Sequence, residues 1–204
     1  PADWVEASLP VNCGGASVWT DSQITVVVPV GGTKGPIKVV TAVVGGKTSY
    51  DLTNDNFGPN LGIFTLNNEV HPKLCEVAPN QGKVGDAVVL RGKDFYVGGA
   101  HEFNAQEDQV LFGTVASTIS RTVPAVPDWT KETIKTTVPG GLSVGRFTTK
   151  VTARINNVLQ DSNTLLFTVT PGENSTLPFI DGVSPERGSA GEYITITGKN
   201  FGAT

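Results

Sequence analysis

An all-β chain assembled from a repeated unit is what this sequence predicts, and three observations predict it. Apolar residues gather in short runs rich in β-formers, such as Val26-Val27-Val28, Val39-Val40, Val88-Val89-Leu90 and Leu165-Leu166-Phe167. No stretch keeps a helical apolar period over two turns, and the 24 Gly and 13 Pro are spread as punctuation between the runs. The same phrases also return at fixed distances. Trp19-Thr20-Asp21-Ser22-Gln23-Ile24, followed by Pro29 and Gly35, is echoed 110 residues later by Trp129-Thr130-Lys131-Glu132-Thr133-Ile134, Pro139 and Gly145. Pro79, Gly82, Gly85 and the run Val88 to Phe95 are echoed 106 residues later by Pro185, Gly188, Gly191 and the run Ile194 to Phe201. A period of about one small domain means a tandem array.

The 204 residues divide accordingly: 1–71 is a copy without its first strands, 72–177 a complete copy, and 178–204 the opening strands of a further copy. In the first copy Val26-Val27-Val28 and Val39-Val40 read as strands, with Pro29 ending the earlier one because proline cannot donate to a ladder. Tyr50 to Gly58 interrupts the last hairpin. Its Asp and Asn side chains invite calcium, but calcium-loop spacing and a bidentate Glu are missing, and Asx-rich turns form for local hydrogen-bonding reasons. Ile63-Phe64-Thr65-Leu66 closes that copy. The complete copy opens with Pro72 to Pro79, turns at Gly82 and Gly85, and continues into Val88-Val89-Leu90-Arg91-Gly92. There Val88 and Leu90 point one way and Val89 and Arg91 the other, as a half-buried strand requires. The glycines at 82, 85 and 92 mark turns or bulges. Val97 to Asp108 is longer than a hairpin turn and contains His101, Glu102 and Phe103, a candidate partner loop or a solvated connection. Val110 to Gly113, the strand at Ile134 and Leu165 to Val169 complete this copy, and a linker from Pro171 to Pro178 leads to the last segment.

At these residues the chain resembles the IPT/TIG family of immunoglobulin-like domains. The resemblance is carried by Pro72-x-Leu74-x-x-Val77-x-Pro79-x-x-Gly82-x-x-Gly85 with Gly92-x-x-Phe95, by Val110-Leu111-Phe112-Gly113, by Val138-Pro139-x-Gly141, and by Phe167-x-Val169. It covers nearly the whole chain and is most like the repeats of long bacterial cell-surface proteins. It implies tandem β-sandwiches of about seven strands each.

A net charge of −4 and a pI near 5.1 supply no positive field for nucleic acid or anionic lipid. No apolar run approaches the roughly 20 residues that span a bilayer. Without an initiator Met or a signal-peptide pattern, the sequence reads as a piece of something longer. Its two partial copies are nearly complementary, so either a window has been taken from a longer array or copies join head to tail by strand complementation.

Cys13 and Cys75 carry the most specific chemistry. Neither has a cysteine at the matching position of the next copy, where Val123 and Asp181 stand. A bond between them would tie the first copy to the opening strand of the second, worth roughly 4 kcal/mol in chain entropy, and would place the protein in an oxidising compartment. Two buried thiols, or a bond to another chain, are the alternatives. Trp19 and Trp129 share one slot and are expected as core aromatics rather than sugar-stacking platforms. His71 and His101 have no Cys or carboxylate array around them, so no metal site is expected. No catalytic constellation or cofactor motif is visible. Asn174-Ser175-Thr176 is a formal glycosylation sequon.

The reading that follows is a non-enzymatic extracellular or cell-surface protein, a stalk, filament or adhesive string whose partners are copies of itself or adjacent domains. The alternative is an accessory module that positions glycan or substrate for a larger secreted enzyme. DNA binding of the Rel type is disfavoured by the acidic balance.

Overall fold

The computed structural model describes residues 4–11, 13, 19–20, 23–40, 50–52, 63–67, 69–96, 104, 106–119, 128–172, 178–185, 187, 189–190, 193 and 195–202. Among them the secondary structure is entirely strand and turn. Packing divides the chain into two compact units, residues 1–10 with 25–69 and residues 11–24 with 70–204.

The first unit pairs β1 (Gly35–Pro36) with β4 (Ile63–Phe64) and β2 (Lys38–Val40) with β3 (Tyr50–Leu52), both antiparallel. Ser8 bridges Val27, whose amide donates to the Ser8 carbonyl at 2.8 Å. The Lys38 ammonium lies 5.5 Å from the centre of the Trp4 ring, a cation–π distance.

The second unit contains a sandwich of the immunoglobulin kind. Its strands are β5 (Lys73–Ala78), β6 (Gln81–Gly82), β7 (Ala87–Lys93), β8 (Gln109–Phe112), β9 (Val115–Ala116), β10 (Thr133–Thr137), β11 (Gly145–Ile155), β12 (Val158–Asp161) and β13 (Leu165–Val169). One sheet has the order β10-β7-β5, and the other β6-β13-β11-β8-β9, with β12 pairing the far end of β11. All pairs are antiparallel except β6 with β13. The chain thus crosses from the first sheet to the second between β5 and β6, and its last strand runs beside β6. A further hairpin joins β14 (Phe179–Ser184) to β15 (Thr195–Lys199).

Alternation decides what each strand buries. Val88 and Leu90 are buried while Val89 and Arg91 are half-exposed. Ile134 and Thr136 are buried between exposed Lys135 and Thr137, and Leu165, Phe167 and Val169 are buried around exposed Leu166. On the inner face of the β13-β11-β8 sheet, Phe112 and Phe167 meet across β11, edge to face with ring centres 5.0 Å apart. Phe95 and Trp129 form a second edge-on pair at 6.4 Å. Such pairs contribute about 0.5–1.5 kcal/mol beyond their buried area. Trp129 is 5% exposed, and its indole N–H points at the Phe95 carbonyl, 3.4 Å away.

Trp19, expected as a core aromatic, is instead 45% exposed. Its local geometry repeats that of Trp129. Trp19 bridges Ile24 as Trp129 bridges Ile134. Thr20 Oγ1 donates to the Gln23 carbonyl at 3.1 Å, as Thr130 Oγ1 does to Thr133 at 3.0 Å. The difference lies in the cover. Trp129 packs against Phe95, whereas Trp19 keeps nearly half of its surface open to solvent. A turn is made by its own residues, whereas burial is set by the surroundings.

Two glycines are dictated by geometry. Gly85 turns with a φ of 90°, a backbone angle that side chains resist, and its amide donates to Val138 at 2.9 Å. At Gly92 an added Cβ would stand 2.0 Å from the Lys73 carbonyl oxygen and 2.6 Å from the Phe95 ring. Gly92→Ala is therefore expected to destabilise the fold by about 3 kcal/mol in chemical denaturation. Gly140→Ala, at a position with nothing within 4 Å, should stay within about 0.5 kcal/mol of the parent.

Candidate functional site

The chemistry of the second unit centres on β5. Its pairing with β7 runs Lys73 to Lys93 and Leu74 to Gly92, then skips to Glu76 with Arg91, leaving Cys75 as the extra residue of a bulge. A bulge aims its residue away from the ladder, and Cys75 is joined there to Cys13, 62 residues earlier, with a Cα separation of 5.6 Å. Cys13 is buried. On the same stretch Asn163 acts as a surrogate strand: its Oδ1 accepts from the Leu74 amide at 2.9 Å and its Nδ2 donates to the Leu74 carbonyl at 2.7 Å.

The carboxylates here are paired with cations rather than with each other. Glu76 meets Arg91 at 2.5 Å, and Asp94 meets Lys73. Glu107 takes a two-pronged contact from Arg154, whose Nη1 also donates to the Asn157 carbonyl at 2.9 Å. The hydrogen bonds from the Arg154 guanidinium hold the Glu107 carboxyl below its usual range against the opposing effect of desolvation, and Glu107 raises Arg154 in return. Asp161 accepts from Lys150 at 2.5 Å and from Thr152 Oγ1 at 2.6 Å, while its carbonyl lies 3.0 Å from His71 Nδ1. Partial burial pushes the Asp161 carboxyl up, but the bonds from Lys150 and Thr152 and the nearby positive charges outweigh it, so the net shift is downward. Buried Asp108 caps a turn, accepting from the Asn104 amide at 2.8 Å. Groups arranged this way lock strand edges and turns together.

Among the described residues, no group of three or more His, Cys, Asp or Glu side chains stands where it could hold a metal ion. No helix among them is long and apolar enough to cross a membrane. His101, Glu102 and Phe103 lie outside the described residues, as do most of the Asx-rich segment and the sequon.

Among the described residues, a cleft and an apolar hairpin face are also present. A cleft of about 220 Å³ lies among Lys83, Val84, Leu142, Val144, Val169 and Pro171, where the chain leaves the sandwich. The β14–β15 hairpin presents Ile180, Val183, Ile196 and Phe201 at 56, 41, 47 and 51% exposure. Their counterparts 106 residues earlier, Leu74, Val77, Leu90 and Phe95, are 1, 6, 0 and 0% exposed. Two functional side chains, Asn163 and Gln23, were invisible to sequence reasoning. Gln23 Oε1 accepts from the Leu166 amide at 3.1 Å, across 143 residues of chain, and no local pattern announces such a contact.

Residues 178–204 match the family model described as the IPT/TIG domain. No curated protein matches the chain. Among solved structures, the chain is similar to the gamma-CGTase of the alkalophilic Bacillus clarkii, with 22% identity and a TM-score of 0.37 over 64% of this chain and 16% of that one. It is also similar to a candidate phosphatase of Bacteroides thetaiotaomicron, with 12% identity and a TM-score of 0.35 over 54% of this chain and 19% of that one. The chain therefore spans under a fifth of either protein, and at these TM-scores neither likeness bears on what it does.

Replacing Cys13 and Cys75 together by serine is expected to lower stability by about 4 kcal/mol on the chain-entropy model, read as a shift in denaturation midpoint that reductant reproduces in the parent. The depressed Asp161 carboxyl binds its proton more weakly in the folded than in the unfolded state. Its contribution is present above the usual carboxylate value of 3.8 and is lost as pH falls through the lowered one. Asp161→Asn should accordingly flatten the acid limb of a stability–pH curve below about pH 4 and lower stability at neutral pH.

Proposed function

We propose that this chain is a non-enzymatic structural or adhesive segment of an extracellular stalk or filament built from tandem immunoglobulin-like domains. Its partners are neighbouring copies or adjacent domains. The observation that carries this reading is the return of the same local geometry at the sequence offsets. The Thr20–Gln23 turn recurs at Thr130–Thr133, and Gly31 with a φ of 82° recurs at Gly141 with 86°. Asp94 with a φ of 57° recurs at Asn200 with 59°. Left-handed angles at non-glycine residues are uncommon, so their return at matched positions favours one domain design used repeatedly. The apolar row of the β14–β15 hairpin is the kind of face a neighbouring domain or copy would cover. A disulfide favours an oxidising compartment outside the cytosol.

The exposure of Trp4, Trp19 and Tyr193, at 49, 45 and 97%, favours a second reading in which the chain is a glycan- or substrate-positioning module of a larger secreted enzyme. Negative-stain electron microscopy of native material isolated without reductant separates the two. Beaded strings are the expected result. Compact single particles whose aromatic residues shift in fluorescence on adding soluble oligosaccharides would overturn the stalk in favour of the accessory module.

A further inference from the structure

We infer that Gln23 is an edge guard, closing the free stretch of β13 against pairing with a second copy of this chain, and that the Cys13–Cys75 bond keeps the guarding segment in place. β13 is paired on one side along its whole length by β11, from Leu165 with Thr149 to Val169 with Gly145. On its other side β6 reaches only Thr168 and Val169. Three amides face that side in alternation. Thr170 donates to the Gly82 carbonyl at 2.9 Å, Thr168 to the Asn80 carbonyl at 3.0 Å, and Leu166, beyond the reach of β6, to Gln23 Oε1 at 3.1 Å. A side-chain carbonyl thus continues the row of acceptors that a strand backbone would supply.

The guard matters because of what it covers. Leu165-Leu166-Phe167-Thr168-Val169 is uncharged, free of proline and made of good β-formers, and the Leu166 side chain is 38% exposed. An edge of this composition pairs through its main chain with any similar edge. An antiparallel meeting of two such edges about a twofold axis makes another copy the self-complementary partner. Edge protection is needed whether or not the chain belongs to a stalk.

The slot of Gln23 makes the assignment specific. Its counterpart Thr133 is the first residue of β10 and pairs with Arg91 of its own sheet. Both residues close the same turn, with the Gln23 amide donating to Thr20 Oγ1 at 3.0 Å and the Thr133 amide to Thr130 Oγ1 at 2.8 Å. A threonine satisfies the turn but carries no carbonyl to extend to Leu166. The segment bearing Gln23 follows Cys13, whose bond to Cys75 anchors it.

The test is amide hydrogen exchange by NMR, with light scattering over a concentration series, on the full chain and its Gln23→Thr, Gln23→Glu and paired Cys13→Ser, Cys75→Ser variants. Gln23→Thr is expected to speed exchange at Leu166 about tenfold, leave Thr168 and Thr170 unchanged, and produce dimers that grow with concentration. Gln23→Glu, which keeps an acceptor, should retain protection and behave as the parent. The paired serine variant should match Gln23→Thr at Leu166. Because Gln23→Thr keeps the disulfide, the inference stays testable if the serine variant does not fold. Unchanged exchange at Leu166 in Gln23→Thr would overturn the guard. Faster exchange without any increase in association would overturn the second copy as partner, and a serine variant that folds with Leu166 still protected would remove the disulfide from the device.

Discussion

At Gly92 the Lys73 carbonyl and the Phe95 ring occupy the space a side chain would need, and the consequences reach well beyond one position. Because the strands can approach there, β5 and β7 pair across a bulge, and the bulge turns Cys75 out of the ladder. Because Phe95 folds back over that glycine, it lies against Trp129 and fixes where the indole sits. The bond from Cys75 to Cys13 then places a segment from far upstream within the same unit. One missing methyl group thus links the sheet pairing, the aromatic core and the covalent tether.

Around that point the sandwich obeys ordinary strand physics. Inner faces carry the β-branched and aromatic residues, and outer faces carry Lys, Arg and Thr. Exposed ion pairs contribute little singly, typically up to about 1 kcal/mol. Their placement matters more than their sum: Glu76–Arg91 links the paired strands β5 and β7, while the pairs of Asp94, Glu107 and Asp161 stand at strand ends and turns. Asn163 and Gln23 solve a related problem. Each lends side-chain amide atoms to a backbone that lacks a neighbouring strand, satisfying main-chain groups that would otherwise invite pairing from elsewhere.

What could be read from the chain alone follows the range of the interactions. Alternation at Val88 to Arg91, the turn at Gly85 and the Trp-to-Ile spacing are local, and they were legible because each residue carries its own preference. The bulge opposite Gly92 was half-legible: glycine signalled a special backbone, though not which carbonyl approached it. Trp19 misled because its sequence context copies that of Trp129 while its surroundings do not. The reach of Gln23 to Leu166 and of Asn163 to Leu74 was beyond sequence reasoning, since each contact joins residues far apart in the chain.

The disulfide also has a mechanical meaning. Tension applied along the backbone passes from Cys13 through sulfur directly to Cys75, so residues 14–74 hang as a closed loop beside the load path. That loop contains residues 25–69 of the first unit, so their own contour stays off the load path whether they are folded or not. With the bond intact, the length that pulling could otherwise extract is shortened by roughly 200 Å, and only cleavage of the sulfur bridge would release it.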